Sequence, residues 1–255
     1  MEKYRSHGLQ LAFVREVPDE PTQLPIVLVH GFGSTHRVNW VATGWSKLLV
    51  EAGFPVLLPD GRGHGQSAKP HVMNAYRLQA MAEDVVALLD HLQIPKAHLM
   101  GYSMGGMVSL VAAMDAGERF DKVIVAGIGE NLLETPRDPG PVVHALTTED
   151  PDTISDPEAR LFRTFADQNG QDRHALALCF QMVRKPFPAA GLQFVQNPTL
   201  VVAGEKDVTA GDPRPLAEAV PGAKAHVVAK RDHMKTVGDK DYKQAALAFL
   251  VEATT

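Results

Sequence analysis

The alternation of short apolar stretches with longer segments of helical periodicity is the feature that most narrows the possible folds. Six stretches predict β-strands: "PIVLVH" (25–30), "FPVLLPD" (54–60), "AHLMGYS" (97–103), "KVIVAGIG" (122–129), "TLVVAGEKD" (199–207) and "KAHVVAKRDH" (224–233). They are apolar over nearly their whole length, which is typical of parallel strands covered on both faces. Helices are predicted where apolar residues recur at i, i+3 and i+4, over 44–53, 74–92 and 242–253. This order predicts an α/β fold with a doubly wound, mainly parallel sheet of about eight strands, in which "GLQLAFVREV" (8–17) supplies one or two antiparallel edge strands.

The alternation is interrupted once, over residues 130–197. This segment begins with prolines and charges ("ETPRDPGP") and continues with helical patterns. The apolar positions of the segment are Leu161, Phe162, Phe165, Leu176, Phe180, Met182, Phe187 and Phe194. A structureless loop of that length is uncommon in a compact domain. We therefore predict a helical cap insertion over 130–197, between core segments 1–129 and 198–255, lying over the carboxyl edge of the sheet.

Composition and charge exclude several classes of protein. Of the 255 residues, 45% are hydrophobic and 22% are charged, which is enough for a full core and unlike a disordered chain. The formal net charge of −5 and the absence of a basic run argue against nucleic-acid binding. No apolar run approaches the ~20 residues that cross a bilayer, and the polar start lacks a signal-peptide pattern. We expect a cytoplasmic protein, a monomer or small homo-oligomer, with a small-molecule partner and no nucleic-acid or membrane partner.

A serine stands between glycines in "GYSMGG" (101–106), where an apolar strand is predicted to meet a helix. In one interpretation this is an ordinary turn, in which glycine supplies backbone freedom and Ser103 caps the helix. In the other it is a nucleophile elbow, G-x-S-x-G, in which a tight turn lifts a reactive hydroxyl off the sheet. The pattern alone does not decide between them.

Polar residues that follow other strands favour the elbow. Asp207 follows the strand at 199 and His233 follows the strand at 224, so the chain order is Ser, Asp, His. A serine hydroxyl needs a base near its working pH, and an imidazole needs a carboxylate to hold its tautomer. Rival acids are Glu130, which follows an earlier strand, and Asp232. The other histidines considered, which we expect to be structural, are His30, His64, His91, His98 and His226.

Two glycine-rich turns also follow strands, "GFGS" (31–34) and "GRGHGQS" (61–67). The first can point backbone amides into a cavity, as an anion-stabilising site requires. A phosphate-binding loop is the alternative for both. Neither turn has the Gly-Lys-Ser/Thr of a P-loop or opens a helix with G-x-G-x-x-G, which argues against nucleotide binding.

Together "HGFGS", "DGRGHGQS", "GYSMGG", "GEKD" and "RDH" resemble the α/β-hydrolase superfamily, and more narrowly its small capped esterases and C–C bond hydrolases. The resemblance spans essentially the whole chain and is weakest over 130–197. It implies Ser103 as nucleophile, His233 as general base and Asp207, rather than Glu130, as the acid that orients it. It implies an oxyanion hole formed by the backbone N–H groups of Phe32 and Met104. The second motif matches a structural turn of that family, which gives no catalytic role to Asp60, Arg62 or Ser67.

The implied activity is hydrolysis of a small to medium carboxylic ester through an acyl-enzyme. Alternatives are a lactonase, a C–C bond hydrolase, a cofactor-free perhydrolase and a non-catalytic ligand receptor. We expect no cofactor and no metal, and the one cysteine, Cys179, excludes an internal disulfide and favours a buried structural thiol. We expect Trp40 to lie on the floor of the substrate pocket and the cap to roof it, so that the chamber suits a neutral acyl group. The cap residues expected at the pocket are Phe162, Phe165 and Phe180.

Overall fold

An eight-stranded sheet forms the centre of the molecule. The computed structural model describes residues 1–252, and the part of the last predicted helix and of the second core segment beyond 252 lies outside the described residues. The strands are β1 (Glu2–Ser6), β2 (Leu9–Glu16), β3 (Ile26–Val29), β4 (Val56–Pro59), β5 (Ala97–Tyr102), β6 (Phe120–Ala126), β7 (Thr199–Gly204) and β8 (Lys224–Val228). Their order across the sheet is β1-β2-β4-β3-β5-β6-β7-β8. The pairings of β1 with β2 and of β2 with β4 are antiparallel, and the other pairings are parallel. The predicted α/β fold with an antiparallel edge is confirmed.

Helices connect the strands and cover both faces of the sheet. They are α1 (Trp45–Glu51), α2 (Leu78–His91), α3 (Met104–Ala116), α4 (Gly140–Thr147), α5 (Pro157–Gln168), α6 (Arg173–Val183), α7 (Pro213–Glu218), α8 (His233–Thr236) and α9 (Lys240–Val251). The helix predicted over 74–92 is divided, because Arg77 is extended (φ −60°, ψ 139°) between a 3₁₀ turn and α2. Within residues 1–252, every helix falls short of the length and apolar character that crossing a bilayer requires.

The apolar core lies in two layers, one on each face of the sheet. On one face α2, α3 and α7 pack against inward side chains such as Val27 and Val125. On the other face α1 and α9 pack against alternate residues of the same strands, including Leu28 and Ile124. Because successive strand residues point to opposite faces, strands buried on both sides are apolar throughout, as their sequences are.

A helical insertion, α4 to α6, lies in the chain between β6 and β7. Two of its helices, α5 and α6, begin at capped ends. For α5, the side chain of Asp156 accepts a hydrogen bond from Ala159 N–H at 2.7 Å, and Pro157 follows it as first helical residue. The insertion has a small apolar core of its own, which includes Val142, Ile154 and Leu176.

The chain leaves the insertion by a descending segment, residues 189–198. It begins with a 3₁₀ turn, Ala189–Phe194, which packs against α3 on the first face of the sheet. Leu192 and Val195 of this segment are buried in the main core. The segment ends at Pro198, whose carbonyl accepts a hydrogen bond from Val123 N–H at 3.0 Å, where β7 begins beside the middle of β6. The segment therefore carries the chain from the carboxyl ends of the parallel strands back to the point where β7 begins.

Candidate active site

Ser103 occupies a strained turn between β5 and α3. Its backbone has φ +55° and ψ −118°, a conformation that side chains other than glycine seldom adopt, and its side chain does not cap the helix. The turn is tight because α3 lies directly against the sheet. A Cβ on Gly101 would meet Gly105 O at 2.1 Å, and a Cβ on Gly105 would meet Val29 O at 2.1 Å. The glycines of "GYSMGG" thus permit a turn that holds the hydroxyl above the sheet, and the capping interpretation does not apply.

A chain of two hydrogen bonds links Ser103 to a histidine and a carboxylate. Ser103 Oγ lies 3.1 Å from His233 Nε2, and His233 Nδ1 lies 2.8 Å from Asp207 Oδ2. An ionised carboxylate only accepts hydrogen bonds, so Nδ1 carries the proton and Nε2 is free to accept from the serine hydroxyl. The Asp207 side chain is fully buried and that of His233 is 20% exposed. The arrangement can accept a proton from a reacting serine and stabilise the imidazolium that results.

The loop after β7 fixes the carboxylate in place. Asp207 Oδ1 accepts hydrogen bonds from the N–H groups of Thr209 (3.1 Å) and Ala210 (2.9 Å), which leaves Oδ2 for the imidazole. The rival acids are engaged elsewhere. Glu130 Oε1 accepts from Asp212 N–H at 3.1 Å, and Asp232 caps α8 by accepting from Lys235 N–H at 2.9 Å.

Two backbone N–H groups beside Ser103 are available to an anion. Met104 is the first residue of α3, so its N–H has no helical acceptor and lies at the positive end of the helix dipole. The N–H of Phe32 has no acceptor among residues 1–252, although both neighbouring N–H groups do. Gly31 N–H donates to Asn39 Oδ1 and Gly33 N–H donates to His64 Nε2, each at 3.0 Å. The loop after β3 is therefore held on both sides of the free donor.

Two buried neutral histidines, His30 and His64, hold the loop after β3 by hydrogen bonds. His64 Nδ1 donates to Arg62 O at 2.9 Å, and His30 Nδ1 donates to Gly31 O at 2.8 Å. His30 Nε2 accepts from Gly61 N–H at 2.9 Å, so each ring uses one nitrogen as donor and the other as acceptor. Burial, which disfavours the charged form, lowers the pKa of His64 to about 3 and also lowers the pKa of His30. Both rings are neutral at pH 7 and have structural roles, as expected from the sequence.

A cavity of about 620 Å³ lies over Ser103, between the sheet edge and the insertion. Phe162, Phe165 and Phe180 of the insertion line it, as do Phe32 and Met104 below. The rings of Phe32, Phe162 and Phe180 contact one another, with centroids 5.0 to 5.6 Å apart. The surface that surrounds the nucleophile is therefore largely aromatic and aliphatic, as in most small-molecule pockets.

The prediction that Trp40 lies on the pocket floor is wrong. Trp40 is fully buried in the second core layer, where its ring packs at 6.2 Å from that of Trp45, and it is absent from the cavity lining. It belongs to a short π-helical segment, Arg37–Val41, that follows the loop after β3. Its neighbour Asn39 faces the cavity instead.

The turn at 60–67 supports the site without entering the cavity. Arg62 and Asp84 form a buried ion pair with N–O distances of 2.6 and 2.7 Å. Asp60 accepts hydrogen bonds from His36 N–H and Gln66 N–H, each at 2.9 Å. Ser67 Oγ also accepts from Ala12 N–H at 2.9 Å.

Cys179 is fully buried, and its thiol lies 3.7 Å from Met104 Sδ.

Three residues position the site in ways that the sequence did not predict. Asn39 fixes Gly31, His64 fixes Gly33, and the Tyr102 hydroxyl donates to the His233 carbonyl at 2.5 Å. Tyr102 stands inside the elbow motif and His64 inside the second glycine-rich turn, so their positions marked them as candidates. Asn39 carries no comparable signal. Among residues 1–252, no cluster of three or more His, Cys, Asp or Glu side chains is placed to hold a metal ion.

Comparisons with known proteins agree with this architecture. A family model described as the alpha/beta hydrolase fold matches residues 25–190. The chain is similar to 3-oxoadipate enol-lactonase 2 of Acinetobacter baylyi, with 32% identity over 180 residues, which cover 65% of this chain and 67% of that protein. It is also similar to esterase YbfF of Escherichia coli, with 40% identity over 105 residues, which cover 41% of this chain and 38% of that protein.

A crystal structure of a hydrolase from Pseudomonas aeruginosa PA01 superimposes with a TM-score of 0.80 at 25% identity, covering 99% of this chain and 98% of that one. Other matching relatives include a 2-hydroxy-6-oxo-6-phenylhexa-2,4-dienoate hydrolase and an epoxide hydrolase, of whose lengths the match spans 36% and 30%. These relatives are hydrolases that act on different kinds of bond. The chain belongs to the α/β-hydrolase family.

Proposed function

We propose that the protein is a carboxylic ester hydrolase with Ser103 as nucleophile, His233 as general base and Asp207 as the orienting acid. The observation that carries this proposal is the continuous hydrogen-bonded chain from Ser103 Oγ to the buried Asp207 carboxylate, at the floor of an apolar cavity. The cavity suits an ester of small to medium size, because most of the surface that lines it is apolar.

Ser103 Oγ attacks the ester carbonyl while His233 Nε2 takes its proton. The tetrahedral oxyanion accepts hydrogen bonds from the N–H groups of Phe32 and Met104, which the surrounding contacts hold ready before the reaction. His233 then donates the proton to the leaving alcohol, and an acyl-enzyme remains. Water, deprotonated by the same imidazole, attacks the acyl-enzyme and releases the acid. Loss of one oxyanion donor in such sites costs about 3 to 4 kcal/mol of transition-state free energy.

Lactone hydrolysis is a second candidate, favoured by the similarity to an enol-lactonase over two thirds of that protein. It uses the same attack on a carbonyl, but the leaving alcohol stays attached to the acyl group. Epoxide opening by relatives of this fold is a weaker candidate for this chain, because a serine stands where that chemistry uses a carboxylate nucleophile. A panel of 4-nitrophenyl esters and of lactones distinguishes the first two activities by kcat/KM.

Covalent labelling by a fluorophosphonate tests the nucleophile directly. The wild-type protein should gain one adduct by intact-mass spectrometry, and Ser103→Ala should gain none while losing nearly all ester hydrolysis. Ser34→Ala removes another hydroxyl of the cavity lining and should retain the label. An adduct that persists in Ser103→Ala, or an unlabelled wild-type protein, contradicts the proposal.

A further inference from the structure

The segment that leads from β6 into the insertion lies directly beside the loop after β7, which carries the acid of the triad. Glu130 N–H donates to Asp212 O at 2.8 Å, and Asn131 N–H donates to Ala210 O at 3.2 Å. The two segments approach so closely that a Cβ on Gly129 would lie 2.5 Å from Asp212 O. The backbone of Asn131 is therefore fixed against the loop after β7, and its side chain reaches that loop from a defined position.

The side-chain amide of Asn131 binds this loop with both of its protons. Asn131 Nδ2 donates to Val208 O at 3.0 Å and to Thr209 O at 3.1 Å. Because both neighbours are carbonyl oxygens, which only accept, the nitrogen rather than the oxygen of the amide must face them. Both N–H bonds of Nδ2 are thus occupied, so this nitrogen is not available to a ligand, although Asn131 lies in the cavity lining.

The two peptide groups that Asn131 binds are the same two that bind Asp207. The Val208 carbonyl and the Thr209 N–H belong to one peptide group, and the Thr209 carbonyl and the Ala210 N–H belong to the next. On the N–H side these groups donate to Asp207 Oδ1, at 3.1 and 2.9 Å. Each group therefore accepts from Asn131 at one end and donates to the carboxylate at the other.

This chain of hydrogen bonds acts on the carboxylate in two ways. Each peptide plane is held at both ends, which fixes the direction of its N–H. A carbonyl that accepts a hydrogen bond also makes the N–H of the same peptide group a stronger donor, by about 10–30% per bond. The Asp207 side chain is fully buried, so these donors, rather than water, orient it. They hold Oδ1 and leave Oδ2 directed at His233 Nδ1, 2.8 Å away.

We propose that Asn131 is a positioning residue of the triad, which acts on His233 through two peptide groups and the Asp207 carboxylate. The inference rests on the proposed function, in which Asp207 orients the imidazole. Within residues 1–252 the Asn131 side chain makes no hydrogen bond to Ser103 or His233, so its effect passes through Asp207. Asn131 also lies in the segment that leads into the insertion, and it thereby joins that connection to the triad.

Asn131→Leu removes both donors with little change in the size of the side chain. We expect kcat/KM for a 4-nitrophenyl ester to fall by about 10- to 100-fold, the loss that removal of an outer hydrogen-bond partner causes in metal sites. Asn131→Ser keeps a single hydroxyl donor, adds no apolar surface and should show a smaller loss. It takes the place of Asn131→Leu if that variant does not fold.

Asn197→Leu is the matched control. Asn197 Nδ2 also donates to two carbonyl oxygens, Gly117 O at 2.9 Å and Phe120 O at 2.7 Å, but it lies where β6 and β7 begin, at the opposite end of these strands from the site. This variant loses the same pair of hydrogen bonds far from the triad. We expect it to lower the free energy of unfolding and to leave kcat/KM within about twofold of wild type.

A double-mutant cycle with Asp207→Ala separates positioning from a general structural effect. Triad variants retain measurable hydrolysis above the rate in water, so Asn131→Leu can be measured in that background. If Asn131 acts through the carboxylate, the second substitution should change kcat/KM by less than about twofold. A loss of the same size in both backgrounds would show that Asn131 acts elsewhere, and it overturns the proposal.

Proton NMR of the unliganded protein, labelled with ¹⁵N at histidine, tests the positioning without turnover. The His233 Nδ1 proton, in its hydrogen bond to Asp207, should give a resonance downfield of the amide protons that Asp207→Ala abolishes. Asn131→Leu should move it upfield or broaden it, and Asn197→Leu should leave it in place. An unchanged resonance in Asn131→Leu overturns the proposal. A resonance that depends on Asn131, in a protein that hydrolyses no ester, supports the positioning and overturns the proposed function instead.

Discussion

At the scale of single residues, the proposed nucleophile, Ser103, lies at a strained position of the backbone. Ser103 keeps a left-handed φ of +55°, a conformation that costs of order 1–3 kcal/mol and persists only when its surroundings impose it. Here Ser103 N–H donates to Ala126 O at 2.7 Å, and Gly106 N–H donates to Ser103 O at 2.8 Å. The hydroxyl is therefore positioned by backbone contacts on both sides, before any substrate arrives.

The assignment of the acid is testable at the same scale. Asp207→Asn keeps an oxygen for the Thr209 and Ala210 N–H groups but presents an amide N–H₂ to His233 Nδ1. The imidazole must then carry its proton on Nε2, where it can no longer accept from Ser103. We expect kcat for an ester to fall by about 10⁴-fold. Glu130→Gln preserves the acceptor for Asp212 N–H and should stay within about tenfold of wild type. The reverse pattern would assign the role to Glu130.

At the scale of secondary-structure elements, close approach of α3 to the sheet creates the elbow. Gly105 lies where any side chain would collide with the backbone of β3, since a Cβ there would lie 2.1 Å from Val29 O and 2.7 Å from His30 O. Those two carbonyls lead directly into the loop that carries the Phe32 N–H. The distance between α3 and β3 therefore sets the distance between the two parts of the proposed oxyanion hole.

Gly105→Ala should lower the free energy of unfolding by more than the better helix propensity of alanine raises it. Gly105→Ala forces α3 away from β3, and we expect the free energy of unfolding to fall by about 3 kcal/mol or more, in the range of severe overpacking. Gly238→Ala is the control, because its Cβ would lie 3.9 Å from Thr43 and meet no backbone. Urea denaturation of the two variants measures the difference. Equal stability of the two variants would show that α3 can shift freely.

The insertion should limit the length of the acyl chain. Each added methylene gains up to ~0.8 kcal/mol while it is buried, and overpacking reverses that gain once the chamber is full. On unbranched 4-nitrophenyl esters we expect kcat/KM to peak at short to medium chains and to fall by C12. A preference that rises steadily to C16, with activation at an oil–water interface, would contradict a length limit set by the insertion.

The sequence predicts the elements of the core, and it predicts that Ser103, Asp207 and His233 lie near one another, because each follows an apolar strand segment within a few residues. Ser103, Asp207 and His233 meet because the carboxyl ends of parallel strands share one edge. The orientation of residues in irregular segments is less accessible. Trp40 lies on a short π-helical segment whose rotation no apolar period reveals. In the insertion, Leu161 is 71% exposed despite its position in a helical pattern, and it lines the cavity.

At the scale of the whole molecule, buried neutral histidines tie stability to pH. Burial lowers the pKa of His64 to about 3 and that of His98 to about 4, and it also lowers the pKa of His30. In the unfolded chain each titrates near 6.5. Below about pH 6.5 the unfolded chain therefore binds more protons than the folded chain, and each such histidine removes stability as the pH falls toward its folded pKa.

We expect the free energy of unfolding to be constant near pH 7.5 and to decrease between about pH 6.5 and 4.5. The slope is up to about 1.4 kcal/mol per pH unit for each histidine. Urea denaturation at intervals of half a pH unit measures it. His98→Leu removes a buried imidazole whose Nδ1 has no hydrogen-bond partner, and the slope should decrease by one histidine's share. Stability that rises on acidification in this range would contradict the neutral state of these rings.

The descending segment has a consequence for exchanging the insertion between relatives. β6 and β7 run side by side with Val123 opposite Thr199, so the chain must cross the full height of the sheet between them. Parallel neighbours always need such a crossover, which is commonly a helix. Here residues 189–198 form the last part of this crossover, and their 3₁₀ turn packs against α3. A graft that replaces the insertion by that of a relative should therefore end before Ala189 and keep the native descending segment. Such a graft replaces the residues of the insertion that line the cavity, while the crossover that leads into β7 stays unchanged.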